Sequence, residues 1–174
     1  MKFDSSIVQT RVPSPLGSIA IAATDKGLAG LWFAENQRYL PSELTDSKAW
    51  PEDANHPVLQ QASQQLGEYF AGRRCRFDLP LDLSSGTAFQ QSVWQALLAI
   101  SHGEVTSYGE ISRRIGHPAA VRAVGGAIGR NPVSIIVPCH RVTASSGALT
   151  GYAGGLARKT ALLRLECALT ESLF

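Results

Sequence analysis

Short apolar runs punctuated by turns fill the first part of the chain. Ile7 to Val12, Ser18 to Ala23 and Leu28 to Phe33 are rich in β-branched and apolar residues. Between them lie Ser14-Pro15-Leu16-Gly17 and Asp25-Lys26-Gly27. Runs of this length joined by such turns predict an antiparallel meander. Residues 35–56 lose the pattern, turn polar and carry Pro41 and Pro51, which predicts a surface loop. From Pro57 the period changes. Val58, Leu59, Ala62, Leu66, Tyr69 and Phe70 recur at helical spacing, and Gly72 follows as a stop. Pro80 to Gly86 reads as a linker, dividing the chain into residues 1–85 and 86–174.

The second part is mainly helical. Thr87-Ala88-Phe89-Gln90 fits a capping box, with Phe89, Val93, Trp94, Leu97 and Leu98 as the apolar stripe behind it. Ser107-Tyr108-Gly109-Glu110 is a second box, opening a short helix that runs to about Ile115 and stops at Gly116. Pro118 suits the first position of another helix, through about Ile128, with Gly129 as its stop. Two helices across a short glycine-containing turn predict a helix-turn-helix. Ser134-Ile135-Ile136-Val137 reads as a buried strand. A loop rich in glycine and small residues spans Ser145 to Gly155, and a last helix runs from Leu156 to about Leu169. The class is α+β, with sheet and helix first and helices after.

The second helix of the pair is thin. Ala119-Ala120-Val121-Arg122-Ala123-Val124-Gly125-Gly126-Ala127-Ile128 offers one long polar side chain, Arg122. A reader of base edges in a major groove needs several. Adjacent glycines also cost about 1 kcal/mol each in helix propensity. Two explanations stand: close approach of an outside partner such as a minor groove, or tight packing on a neighbouring helix.

Charge adds a modest hint. The 174 residues carry a net +2, but residues 1–85 hold 8 Lys+Arg against 10 Asp+Glu, and residues 86–174 hold 8 against 4. The second half therefore suits a polyanion better than the first. The three cysteines, Cys75, Cys139 and Cys167, form neither a disulfide framework nor a metal-ligand cluster. With no signal peptide and no apolar run long enough to span a bilayer, a reduced, cytoplasmic protein without membrane association is expected. Trp32, Trp50 and Trp94 read as packing residues, Cys75 as part of an exposed basic turn, and Cys167 as a structural residue on the last helix.

The chemistry concentrates in Pro138-Cys139-His140-Arg141-Val142. A free thiol is only a few per cent ionised at neutral pH, so a nucleophile needs a base or a positive environment. His140 is adjacent. On an extended segment the two side chains would point to opposite faces, so contact needs a bend or a bridging water. Glu166, one of four acids in the second half, could orient His140 and fix its tautomer.

Pro138-Cys139-His140-Arg141-Val142 joins Ser107-Tyr108, the run from Ala120 to Gly126, and Asn131-Pro132 upstream. Downstream are Gly151-Tyr152-Ala153-Gly154-Gly155, Lys159 and Glu166. In this order and spacing they resemble the O6-alkylguanine-DNA alkyltransferases, from about Phe89 to Glu166. The first half is similar only in outline. The resemblance implies a ribonuclease H-like first domain and a winged helix-turn-helix-like second domain that carries the reactive cysteine. It implies Cys139 as alkyl acceptor, His140 as its base through a water, and Glu166 orienting His140. Asn131 would brace the nucleophile's turn, and Lys159 would support that region electrostatically. Arg122 would enter the duplex in place of a flipped nucleotide, on a helix face that includes Ala120, Ala123, Gly125 and Gly126. Tyr108 would rotate the neighbouring phosphate and donate to the guanine ring. The Val142 carbonyl and the Cys139 backbone would hold the exocyclic amine, while Tyr152, Ala153 and Gly154 wall the pocket.

Several further expectations follow from the resemblance. No cofactor is implied. Some relatives hold a zinc in the first domain, but Cys75 and His56 alone cannot, so no metal is expected. The partner would be double-stranded DNA containing O6-alkylguanine, met by a monomer with possible cooperative assembly. The runner-up is a non-catalytic sensor of alkylated DNA; retention of Cys139 argues against it. A Cys-His hydrolase lacks an evident oxyanion motif here, and a transcription regulator would need more base-reading side chains.

Overall fold

The computed structural model describes residues 1–45 and 49–169. The meander forms as expected: β1 (Val8–Val12), β2 (Ile19–Thr24) and β3 (Gly27–Phe33) make one antiparallel sheet in the order β1-β2-β3. Every residue of β2 and β3 is buried. That explains their near-continuous apolar runs, since alternation is needed only where one face meets water. Ile19, Ile21, Leu28, Leu31 and Phe33 face the main core. Ala20, Ala22, Ala29 and Trp32 face a second cluster with Ile7 and Leu44, against which Phe3 and Trp50 pack. Gly30 is required there, because a Cβ would fall 1.9 Å from the Trp32 ring.

Helix α1 (Pro57–Phe70) begins at its proline and lays Leu59, Ala62, Leu66 and Tyr69 on the sheet. The following segment bridges back to β3, with Leu28 N–H donating to the Pro80 carbonyl at 2.8 Å. Helix α2 (Ala88–Leu98) carries the complete capping box of Thr87 and Gln90. Strand β4 is only Thr106–Ser107, and α3 (Tyr108–Arg114) follows it. The second box is half formed. Ser107 Oγ accepts from Glu110 N–H, but the Glu110 carboxylate pairs with Arg113 and Arg114 instead.

Three expectations need correction. The thin helix, α4 (Val121–Gly129), starts three residues after Pro118. Residues 117–120 form a turn closed by the bond from Ala120 N–H to the His117 carbonyl, so Pro118 lies in the turn. Ser134 to Val137 is a buried turn, not a strand; only Val133 bridges the sheet, opposite Leu31. A four-residue apolar run has no period long enough to separate strand from buried turn. The last helix, α5 (Leu156–Leu165), ends before Glu166. Cys167 therefore lies past the helix, exposed, in the left-handed conformation that terminates it (φ 57°).

One main core runs through both halves of the chain. The open edge of β3 is covered by the segment after α4: Leu31 N–H donates to the Pro132 carbonyl at 2.8 Å, and Ser134 N–H to the Leu31 carbonyl at 3.1 Å. The segment that precedes Cys139 is thus fastened to the first half's sheet. Strand β5 (Val142–Thr143) leaves on the far side and pairs in parallel with β4.

Candidate active site

Residues 131–143 are buried without a break. Asn131 organises them. Its Oδ1 accepts from Val133 N–H at 3.0 Å, and its Nδ2 donates to the Val137 carbonyl at 2.8 Å. The same Nδ2 lies 3.1 Å from Cys139 Sγ. One amide therefore closes the turn and meets the thiol. Ile135 inside the turn is left-handed (φ 71°), a conformation that costs a β-branched residue about 1–3 kcal/mol and persists because its surroundings fix it.

Cys139–Arg141 is a single 3-10 turn, which supplies the bend that an extended segment would lack. Cys139 faces a cavity while His140 turns to Glu166. His140 Nε2 is 2.8 Å from Glu166 Oε1, and both side chains are fully buried. With Glu166 as acceptor the ring proton belongs on Nε2, which leaves Nδ1 as the basic nitrogen. Among the described residues Nδ1 has no hydrogen-bond partner. Glu166 is itself held by Arg141, from Nε at 2.7 Å and Nη2 at 2.9 Å, while Arg141 Nη1 donates to the Ile100 carbonyl at 2.6 Å. Tyr69 of α1 donates to Glu166 Oε1 at 2.7 Å.

The protonation states follow. Burial pushes the Cys139 thiol up, opposed by the Asn131 hydrogen bond and the Lys159 charge. Burial pushes His140 down, against the pull of Glu166 and with help from Arg141 and Lys159. Burial alone would raise Glu166, but donation from His140 and Arg141 holds it well below the usual carboxylate range. At rest the site is a neutral thiol, a neutral imidazole and a carboxylate neutralised by arginine.

Lys159 is fully buried on α5, and its ammonium donates to the carbonyls of Val142 (2.5 Å), Thr150 (2.9 Å) and Gly151 (3.3 Å). Burial brings its pKa down to about 8. It binds the base of the 143–151 loop rather than Cys139 or Asn131, though its charge is felt at the thiol. The Val142 carbonyl already has this one donor.

The cavity in front of Cys139 has a volume of about 190 Å3. That is below the roughly 300–1,000 Å3 of drug-sized ligand sites and suits one planar ring system. Tyr108, Gly125, Gly126, Tyr152 and Ala153 line it. Tyr108 is half-buried, and its hydroxyl donates to the Thr150 carbonyl at 3.1 Å. Gly154 is not in the wall. It sits behind, where a Cβ would come 2.8 Å from the Tyr152 ring and 3.0 Å from Phe33.

Helix α4 spans the cavity and the surface. Val121, Arg122 and Ala123 are exposed in its first turn, and Ala120 caps it half-buried. A Cβ on Gly125 would meet the Tyr108 ring at 3.8 Å, and one on Gly126 the Arg130 guanidinium at 3.6 Å. Both are ordinary contact distances, so internal packing does not require either glycine. Of the two explanations for the thin helix, close approach from outside is the one the packing favours.

Four participants carried no role in the sequence reading. Arg141 stood in the key motif, and a buried arginine beside a histidine needing a carboxylate was a usable signal. Tyr69 lies 97 residues from Glu166 and gave none. Arg38 and Tyr39 also line the cavity, from the stretch read as a plain surface loop. Arg38 N–H donates to the Ala153 carbonyl at 2.9 Å, and Arg130 lies over the Tyr39 ring at 4.9 Å.

A helix-turn-helix beside a buried, histidine-backed thiol defines a nucleic-acid-directed cysteine transferase site. The comparisons give the family. Residues 7–83 match the 6-O-methylguanine DNA methyltransferase, ribonuclease-like domain, and residues 88–168 match the DNA binding domain of the same enzyme. The methylated-DNA–protein-cysteine methyltransferase of Mycolicibacterium paratuberculosis is 50% identical over 155 residues, covering 89% of each chain. That of Haemophilus influenzae is 42% identical, covering 93% of this chain and 87% of its own. The crystal structure of Mycobacterium tuberculosis OGT in complex with DNA superposes with a TM-score of 0.79 at 48% identity, covering 91% of both chains. This chain belongs to the 6-O-methylguanine DNA methyltransferase family.

Proposed function

We propose that this chain is a methylated-DNA–protein-cysteine methyltransferase. It repairs double-stranded DNA by moving the alkyl group of O6-alkylguanine to its own Cys139. The observation that carries the reading is Cys139 Sγ at the edge of a cavity sized for one planar base, with Asn131 and the His140–Glu166 pair behind it.

The target group lies inside the base stack, so the nucleotide is flipped out, at a cost of a few kcal/mol. Arg122 fills the gap from the exposed start of α4, and Ala120, Ala123, Gly125 and Gly126 admit the minor groove. Phosphate contacts give affinity without sequence preference, as repair of any sequence requires. In the cavity Tyr152 and Ala153 wall the base. The Val142 carbonyl and the Cys139 backbone take its exocyclic amine, and Tyr108 donates to the ring. The Cys139 proton passes through a water to His140 Nδ1, with Glu166 steadying the imidazolium. The thiolate attacks the alkyl carbon, an S–C bond forms, and the C–O6 bond breaks. The guanine leaves with the bonding electrons and takes up one proton, balanced by the proton that the His140 imidazolium gives back, so the site returns to neutral. The thioether has no route back to a thiol, so each molecule acts once.

The same reading takes residues 1–85 and 86–174 as two domains of a cytoplasmic monomer, able to assemble cooperatively on DNA, with no cofactor. Among the described residues no helix is long and apolar enough to cross a membrane. The test is intact-protein mass after incubation with a duplex containing O6-methylguanine. One methyl gained on Cys139, stopping at one per molecule, is expected. Tight binding with unchanged mass would make the chain a lesion sensor instead.

A further inference from the structure

Glu166 accepts from more groups than a histidine-orienting acid needs. Oε1 faces His140 Nε2, Arg141 Nη2 and the Tyr69 hydroxyl, all within 2.9 Å, and Oε2 faces Arg141 Nε. A carboxylate offers about four acceptor sites, two on each oxygen, so Oε1 is fully engaged by its three donors. Among the described residues Tyr69 is the only side chain of the first 85 hydrogen-bonded to this network. It is 1% exposed, with its ring packed on Phe70, Phe77 and His102, so its hydroxyl is aimed by packing. Burial and the Glu166 charge push the phenol far above its ordinary range, so it remains a donor.

We propose that Tyr69 is a positioning residue through which the first half of the chain sets the basicity of His140. The proposal rests on the reading of His140 as the base for Cys139. Tyr69 and His140 share one oxygen. A donor on Oε1 draws off negative charge that would otherwise stabilise the imidazolium, so the hydroxyl lowers the proton affinity of His140 through Glu166. The other groups facing the pair act in fixed directions. Arg141 beside it and Lys159 from α5 oppose protonation, Glu166 favours it, Cys139 is neutral at rest, and His102 packs on the Tyr69 ring. Tyr69 is the member whose removal changes no charge. It gives the sheet-and-helix half, which supplies no nucleophile, a route to the reacting groups.

The test is Tyr69→Phe, which keeps the ring and its packing. The four histidines are titrated by 15N NMR, and the single-turnover transfer rate is measured against pH. The His140 pKa is expected to rise by roughly half to one pH unit, a fraction of the ~1–3 units that a full neighbouring charge produces. The acid limb of the rate moves up with it. An unmoved His140 titration overturns the proposal whatever the rate does, including a uniform loss at every pH. A moved titration with an unmoved rate limb upholds the link and overturns His140 as the base. If Tyr69→Phe fails to fold, replacing the tyrosines by 3-fluorotyrosine strengthens donation. His140 must then titrate lower, and no change overturns the proposal.

Discussion

The two sides of Cys139 are built in opposite ways. Behind it every strong group is tied: Asn131 to the turn, His140 to Glu166, and Glu166 to Arg141 and Tyr69. In front, the wall is glycine, Ala153, Ile128 and three tyrosines with Arg38 at its rim, and Arg38, Arg122 and Arg130 are exposed. The fixed side can prepare a poor nucleophile for one defined displacement. The open side can admit a base in any sequence context because it presents backbone and little else. Chemistry here needs preorganised partners, whereas recognition needs their absence.

Cys139→Ser breaks the comparison most severely. Transfer is abolished while binding to a duplex carrying O6-methylguanine persists, read by mass and by a binding titration. Transfer surviving in that variant would refute Cys139 as the acceptor.

Glu166→Gln attacks the fixed side. It leaves Arg141 buried without its counter-charge, a loss of about 3–5 kcal/mol of stability, and slows transfer roughly 100-fold or more. The pH dependence changes too. In the parent protein Glu166 is depressed, so its contribution is present above the ordinary carboxylate pKa and drains away as pH falls toward its folded value. His140 is also depressed, so the unfolded chain gains a proton that the folded one resists below about pH 6.5. Both make stability fall on acidification. Urea unfolding at pH 5 and pH 3, the window in which an unfolded carboxylate takes up its proton and folded Glu166 resists it, should show a steeper fall in the parent than in Glu166→Gln.

Arg122→Ala attacks the open side and leaves the fixed one alone. Repair in duplex should slow about 10-fold, on the scale of part of the few kcal/mol that flipping costs, with transfer from the free base unchanged. Equal losses on both substrates would remove Arg122 from the flipping step.

Gly125→Ala gives the smallest effect and the sharpest contrast. Its Cβ has room beside Tyr108, so stability should rise by about 0.5–1 kcal/mol from helix propensity, measured by thermal unfolding. Duplex repair should nonetheless slow. A variant that is both more stable and equally active would show that the glycine serves neither side.

The sequence by itself determined much of this protein. Turn signals and short apolar runs placed β1, β2 and β3 within a residue or so, and Pro57 and Thr87 marked two helix starts, because these features act through neighbours in the chain. Cys139, His140 and Glu166 pointed to a site because their residue types are chemically demanding, whereas Asn131, Tyr108 and Lys159 entered only through the family resemblance. Tertiary structure decided what local pattern cannot encode. It made Ser134 to Val137 a turn, because β3 accepts only one bridge and Asn131 closes the loop. It ended α5 so that Glu166 could face inward, and it brought Tyr69, Arg38 and Tyr39 to a site built by the other half. Hydrogen bonds within a turn or a helix cap are properties of short segments. A filled carboxylate or a shared cavity wall exists only when distant segments are packed together, and the energy that selects it is a sum over contacts that no single segment carries.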